Sequence, residues 1–238
     1  MSVFGSLIDQ TEVISILKDA VEASRMVDNK TQSMTNTWLF TGPPGSGRSN
    51  AAIAFAAALV CKDGGCSKCN DCMSTIIGNH ADVELIKTAG LSIKIDEVRE
   101  LITRASWAPS VANYRVVVME DADRLTESAA NALLKVIEEP GLRTIWLLCA
   151  PTLTDVLPTI RSRCRHLSLR TPSTKAIAKL LIERDGVDGA EISSSIFDHS
   201  GFVCQHNPGQ FRVSCFDLHT YSIAEKVGER KSWNIKVP

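Results

Sequence analysis

Apolar side chains recur at Val13, Leu17, Ala20 and Val21, the spacing of one face of a helix, and Asp9 with Glu12 three residues on predicts its capped start. Residues 26–37 are polar and predict a linker. The apolar triplet Trp38-Leu39-Phe40 then predicts a short buried strand, and the alanine-rich residues 51–60 a helix. Strand and helix patterns keep alternating: a strand at 83–86, a helix at 95–105, a β-branched strand at 116–118, a helix at 128–139 stopped by Pro140 and Gly141, and a strand at 145–148. The strand runs are apolar without interruption, so both faces are covered. That predicts an α/β fold, a mostly parallel sheet with helices on both faces, and a ligand site at the carboxyl ends of the strands. A basic turn follows at 161–165, a helical pattern resumes from 173 to about 199, and residues 201–238 hold no sustained period, so no element is assigned there.

Composition narrows the function classes. With 238 residues and 44% hydrophobic side chains the chain can bury a good core, which excludes disorder for most of it. Its 26 basic and 27 acidic residues nearly cancel, so it lacks the overall positive charge of a protein that wraps nucleic acid by itself. No apolar run approaches the ~20 residues that cross a bilayer, and the start MSVFGSLIDQ has no secretory pattern. The expected location is therefore cytoplasmic, with no membrane partner.

The loop after the Trp38–Phe40 triplet reads Gly42-Pro43-Pro44-Gly45-Ser46-Gly47-Arg48-Ser49. Strand, glycine loop and helix in that order form a phosphate-binding loop: the glycines let backbone N–H groups turn onto phosphates at a helix N-terminus, and a hydroxyl reaches Mg²⁺. Gly42, Gly45, Gly47 and Ser49 fit, but Arg48 stands where a lysine is needed, and a planar fork does not replace a compact ammonium without cost. ATP with Mg²⁺ is the cofactor such a loop takes, here at a degenerate site. At the end of the 116–118 strand, Glu120 stands at the magnesium-coordinating position and Asp121 at the water-polarising one, the usual Asp-Glu order inverted. Two readings stand for this acidic end: a working magnesium site, or a capping and solvated turn before the next helix.

Cys61, Cys66, Cys69 and Cys72 form C-x4-C-x2-C-x2-C. In a sequence of intracellular type, four thiolates so spaced wrap one tetrahedral ion with no open position, which predicts a structural Zn²⁺. Among the basic residues at 161–165, Arg163 reads from the residues alone as part of a solvated turn or a phosphate-backbone contact.

The succession TGPPGSGRS, four-cysteine insert, VVVMEDADRL, SAANALLKVIEEP, WLLCAP and TIRSRC resembles the AAA+ clamp-loader subunits of bacterial DNA polymerase III over about residues 1–200. The resemblance implies that Ser162-Arg163-Cys164 carries an arginine finger, Arg163, which reaches the ATP site of an adjacent subunit and stabilises transition-state charge. Arg48, the inverted Glu120-Asp121 pair and Ala150-Pro151 at the sensor position depart together from the catalytic gamma/tau pattern, and they look like the delta-prime type. Implied partners are gamma/tau and delta subunits, the sliding clamp, and primer-template DNA through the assembled complex. Implied domains are a P-loop domain at 1–170 with the zinc insert at 61–72, a partial helical lid at 171–200 and an atypical tail at 201–238. The family's carboxy-terminal collar is not matched, which predicts a truncated or frame-shifted product. The alternatives are a gamma/tau-type ATPase using Arg48, Glu120 and Asp121, and a zinc-containing nucleic-acid-binding module.

Overall fold

A computed structural model of the chain describes residues 2–25, 35–88, 90–141, 143–173 and 175–176, together with three backbone strands beyond them. Two compact units are distinguished: Met1–Gly42 with Gly47–Leu169, and Pro43–Ser46 with Arg170–Pro238.

The first unit is built on α1 (Thr11–Arg25), β1 (Thr37–Thr41), α2 (Arg48–Val60), α3 (Asn70–Ile77), β2 (Val83–Ile86), α4 (Ile95–Ala105), β3 (Arg115–Met119), α5 (Glu127–Glu138), β4 (Thr144–Ala150), α6 (Pro158–Arg161) and β5 (Arg165–Ser168). The five strands form one sheet in the order β2-β3-β4-β1-β5, and every pairing is parallel. Strands β1, β3 and β4 are buried along their whole length, because each presents one row of side chains to either face. Trp38, Phe40, Val116, Val118, Ile145 and Leu147 pack on the side of α1 and α2. Their neighbours in sequence, Leu39, Val117, Met119, Trp146 and Leu148, pack on the side of α4 and α5. One sheet therefore divides two hydrophobic layers.

Helix α2 is apolar almost all round and buried, as its alanines require: small side chains let it lie between the sheet and the outer elements α1, α3 and the short turn Val3–Ser6. Helix α5 is capped by Thr126, whose Oγ1 accepts from the Ala129 N–H, and α4 begins with Glu97 accepting from the Lys94 N–H. The start of α1 lies one residue later than predicted. Asp9 has φ 56°, in the left-handed region, and the Gln10 carbonyl accepts the first helical bond from the Ile14 N–H, so Asp9 is not the cap.

Most of the expected helical lid lies outside the described residues. Within it, Ile196–Phe197 is extended as β6 and pairs antiparallel with β7 (Phe202–Gln205), which pairs with β8 (Ser214–Asp217). The tail to which no element was assigned thus contains two short strands. Among the described residues no helix is long and apolar enough to cross a membrane.

Candidate functional site

Because all five strands run the same way, the first unit has two chemically different ends. The carboxyl end of β1 leads into Gly42, whose N–H reaches the carbonyls of Ala150 and Pro151 at the end of β4. Gly45 and Gly47 both take positive φ, 80° and 81°, and Gly47 is the residue from which α2 starts. An added Cβ at Gly47 would meet nothing within 4 Å, so its requirement is the left-handed backbone and not space. Ser49 lies in the first turn of α2, half-buried.

Arg48 does not extend from this loop. Its Nη1 donates to the Gly42 carbonyl at 2.8 Å, so the guanidinium folds back on the loop it belongs to, and its buried Nε has no hydrogen-bond partner. The acidic end of β3 is also engaged. Glu120 is buried and forms an ion pair with Lys87 at 3.2 Å, while Asp121 accepts from the Thr88 N–H and lies 3.8 Å from Arg124. Asp123, two residues on, has a buried Oδ1 without a partner. Its burial pushes the carboxyl above the usual range, the Asp121 charge adds to this, and the Arg124 and Arg48 charges oppose it.

Sequence reasoning missed Cys149. It is fully buried at the end of β4 with its Sγ 4.0 Å from the Arg48 carbonyl, and burial followed by the Glu120 charge raises its thiol far above the ordinary range. The signal was available: Cys149 faces the same layer as Leu147, two residues earlier on a strand that ends at the phosphate loop.

The four cysteines converge. Cys61 ends α2, Cys66 lies in the loop, Cys69 caps α3 and Cys72 sits in its first turn, and the four sulfurs lie within 4.8 Å of one another. The Cys61–Cys66 and Cys61–Cys69 sulfur distances are 3.8 and 3.6 Å. A tetrahedral ion with metal–sulfur bonds of about 2.3 Å requires sulfurs about 3.8 Å apart, so the donor set fits such an ion. Backbone N–H groups of Asp63, Cys69 and Cys72 point at the sulfurs of Cys61, Cys66 and Cys69. Burial disfavours a Cys61 thiolate, but N–H groups of Cys66, Gly65 and Asp63 outweigh it and bring the thiol down to about 6.

This knob is tied into the fold. Val3 N–H donates to the Gly65 carbonyl, and Arg25 at the end of α1 donates to the carbonyls of Cys61 and Lys62. His80, buried nearby in sequence, accepts the Asp82 N–H on Nδ1 and lies 3.7 Å from Asp71 by Nε2, so it is a packed loop residue and not a fifth donor.

Arg163 lies at the other end of the sheet. Two residues after it, Arg165 pairs with Trp38 at the beginning of β1 and stacks its guanidinium over that ring at 4.8 Å. Arg163 itself is partly exposed; its Nε donates to Glu138 Oε1 at 2.5 Å, and its Nη1 donates to the Thr159 carbonyl at 2.8 Å. With Glu138, Pro140, Ile137 and residues 35–37 it lines a cavity of about 320 Å³. From Trp38 to Gly42 the strand rises about 13 Å, so Arg163 and the phosphate loop of the same chain are not brought together.

Comparison with known proteins gives the family. The family model described as DNA polymerase III, delta subunit matches residues 15–173. The chain is 33% identical over 179 residues to DNA polymerase III subunit delta-prime of Bacillus subtilis, a match covering 74% of this chain and 52% of that protein. It belongs to the DNA polymerase III delta-prime family. The delta-prime subunit of Pseudomonas aeruginosa is 31% identical over 70% of this chain and 52% of its own length. DNA polymerase III subunit gamma/tau of Mycobacterium tuberculosis is 32% identical over 77% of this chain and 32% of its own. The chain thus spans about half the length of the delta-prime relatives it matches. Among solved structures, a gamma subunit-related protein of Thermotoga maritima matches with TM-score 0.51 and 23% identity over 74% of this chain and 50% of that one. A RuvB mutant of the same organism matches with TM-score 0.56 and 17% identity over 81% and 58%, and both likenesses give the fold, an AAA+-like P-loop sheet.

Proposed function

We propose that the chain works as a clamp-loader subunit of DNA polymerase III, of the delta-prime type. In this reading it joins gamma/tau and delta subunits, helps the ATP-dependent loading of the sliding clamp onto primed DNA, and completes a neighbour's ATP site with Arg163. The observation that carries it is the separation of the two ends: Arg163 stands by the start of β1, the phosphate loop follows its end, and an arginine so placed serves a phosphate only on another molecule. An always-charged fork supplied from outside is worth roughly 10³–10⁵ in rate in comparable phosphoryl transfers.

Support for weak or absent turnover at its own loop comes from Arg48, which bonds to Gly42, and from Glu120, which is held by Lys87. For the four cysteines Zn²⁺ is the ion of choice, since a closed tetrahedral thiolate site is its structural mode. The family and the balanced charge are in keeping with a cytoplasmic protein that meets DNA only within the complex.

A second reading, a gamma/tau-type ATPase, draws on the gamma/tau likeness and on the retained Gly45, Gly47 and Ser49. The two separate when the purified chain is mixed with gamma or tau, delta, clamp and primed DNA, with assembly followed by size exclusion. An Arg163→Ala chain that assembles but lowers turnover supports the finger; turnover by the chain alone, lost in Ser49→Ala, supports the second reading.

A further inference from the structure

The Arg163 side chain is held more firmly than a solvated arginine. Its Nε edge faces Glu138 Oε1, and Nη1 is divided between the Thr159 carbonyl and, at 3.3 Å, Ser162 Oγ. The three contacts come from different places: Glu138 ends α5, Thr159 belongs to α6, and Ser162 follows α6 directly. Nη2 takes no hydrogen bond among the described residues and is the part of the fork left for a ligand. An unrestrained arginine loses rotamer freedom when it is fixed on a ligand, so holding it by two edges lowers the cost of presenting the third.

The surroundings explain why Glu138 can hold that place. Helix α5 turns its Leu133 and Ile137 side chains inward, which fixes the helix against the core and brings its last carboxylate to the rim of the cavity next to Arg163. In the same cavity Thr37, at the beginning of β1, has a buried Oγ1 without a hydrogen-bond partner.

We infer that Glu138 is the positioning residue for Arg163: it grips the Nε edge so that Nη2 faces the phosphate of the neighbouring subunit. This rests on the finger reading above. An exposed ion pair contributes little to stability, so the effect belongs to the reaction of the assembled complex and not to the fold of the free chain.

The test is a double-mutant cycle on ATP turnover by the chain assembled with gamma or tau, delta, clamp and primed DNA. Glu138→Ala is expected to lower kcat about tenfold with KM for ATP unchanged, the size of effect that slight misplacement of a reacting group produces. Glu138→Gln, which keeps an acceptor oxygen, is expected to recover most of that loss. In an Arg163→Ala background, Glu138→Ala should have no further effect. If Arg163→Ala alone leaves turnover unchanged, the finger reading falls and this inference with it. If Arg163→Ala lowers turnover but Glu138→Ala is silent, or adds fully to it, the finger stands and the positioning role is overturned. On the isolated chain, the Arg163 Nε–H resonance should exchange slowly with water and become fast in Glu138→Ala; fast exchange in the unmutated chain also overturns it.

Discussion

Single side chains decide what each end of the sheet can do. Arg48 is the clearest case, because its Nη1 donates to the Gly42 carbonyl at 2.8 Å and so gives one edge of the fork to its own loop. Arg48→Lys places a compact ammonium on a flexible stem there, and a fluorescent ATP analogue should bind the variant about tenfold more tightly, roughly 1.4 kcal/mol. Asp82 is a different kind of residue. It is fully buried, and its carboxylate accepts the N–H groups of Ser110, Val111 and Ala112 at 2.6, 2.7 and 2.8 Å, shaping the loop ahead of β3. Burial alone would raise its pKa, but those three N–H groups, with the His80 charge, hold it below the usual value. A depressed carboxylate stabilises the fold above its unfolded pKa, and the contribution is lost as pH falls through the folded one. Urea unfolding should therefore show stability dropping below about pH 4, and Asp82→Asn should be less stable by about 2 kcal/mol near pH 7 with a flatter acid limb.

Elements were legible where burial and period agree. The strands at Trp38–Phe40, Val83–Ile86 and Val116–Val118 and the helices near α4 and α5 stand where their patterns predict, since each pattern is the direct imprint of two packed layers. Helix α3 was not legible. It buries only Cys72 and Thr75 and leaves Met73, Ile76 and Ile77 partly exposed, so its hydrophobic positions do not mark its inner face, and its cysteines suggested only a loop. Strand β5 was hidden because only Leu167 is buried within it, flanked by Arg165, His166 and Ser168, which read as a continuation of the basic turn. At the candidate site the glycines and acids were legible as a motif, but the inward fold of Arg48 is a choice of side-chain rotamer within its own loop, and the hold of Glu138 on Arg163 joins residues 25 apart in sequence. The loop between α2 and α3 carries its own constraint at Gly65, where φ is 101° and a Cβ would come 2.5 Å from Val3 Cγ2. Gly65→Ala should cost about 2 kcal/mol in thermal or urea unfolding. Gly5→Ala, with nothing within 4 Å of the new Cβ, should stay within about 0.5 kcal/mol.

For the molecule as a whole, the cysteine knob joins parts distant in sequence, since the Val3 N–H and the Arg25 guanidinium both bond to its backbone. Under the proposed zinc site, metal bound by four thiolates stabilises only the folded arrangement, so removal with a chelator should lower the melting temperature and speed amide exchange at Val3. Hydrogen-exchange mass spectrometry before and after chelation checks this, with Cys72→Ser expected to match the chelated chain. The opposed ends of the parallel sheet also have a consequence for growth. Under the proposed function, a unit that offers a finger from one end and a phosphate loop from the other adds head-to-tail, by heterologous contacts that close into a ring or run on as a filament. Under the proposed function, a copy whose Arg48 turns back to Gly42 and whose own loop turns over no ATP still gives its finger to the next unit but calls for none in return. In polymer terms it is a chain terminator, and the position of such a unit sets where a row of active sites ends.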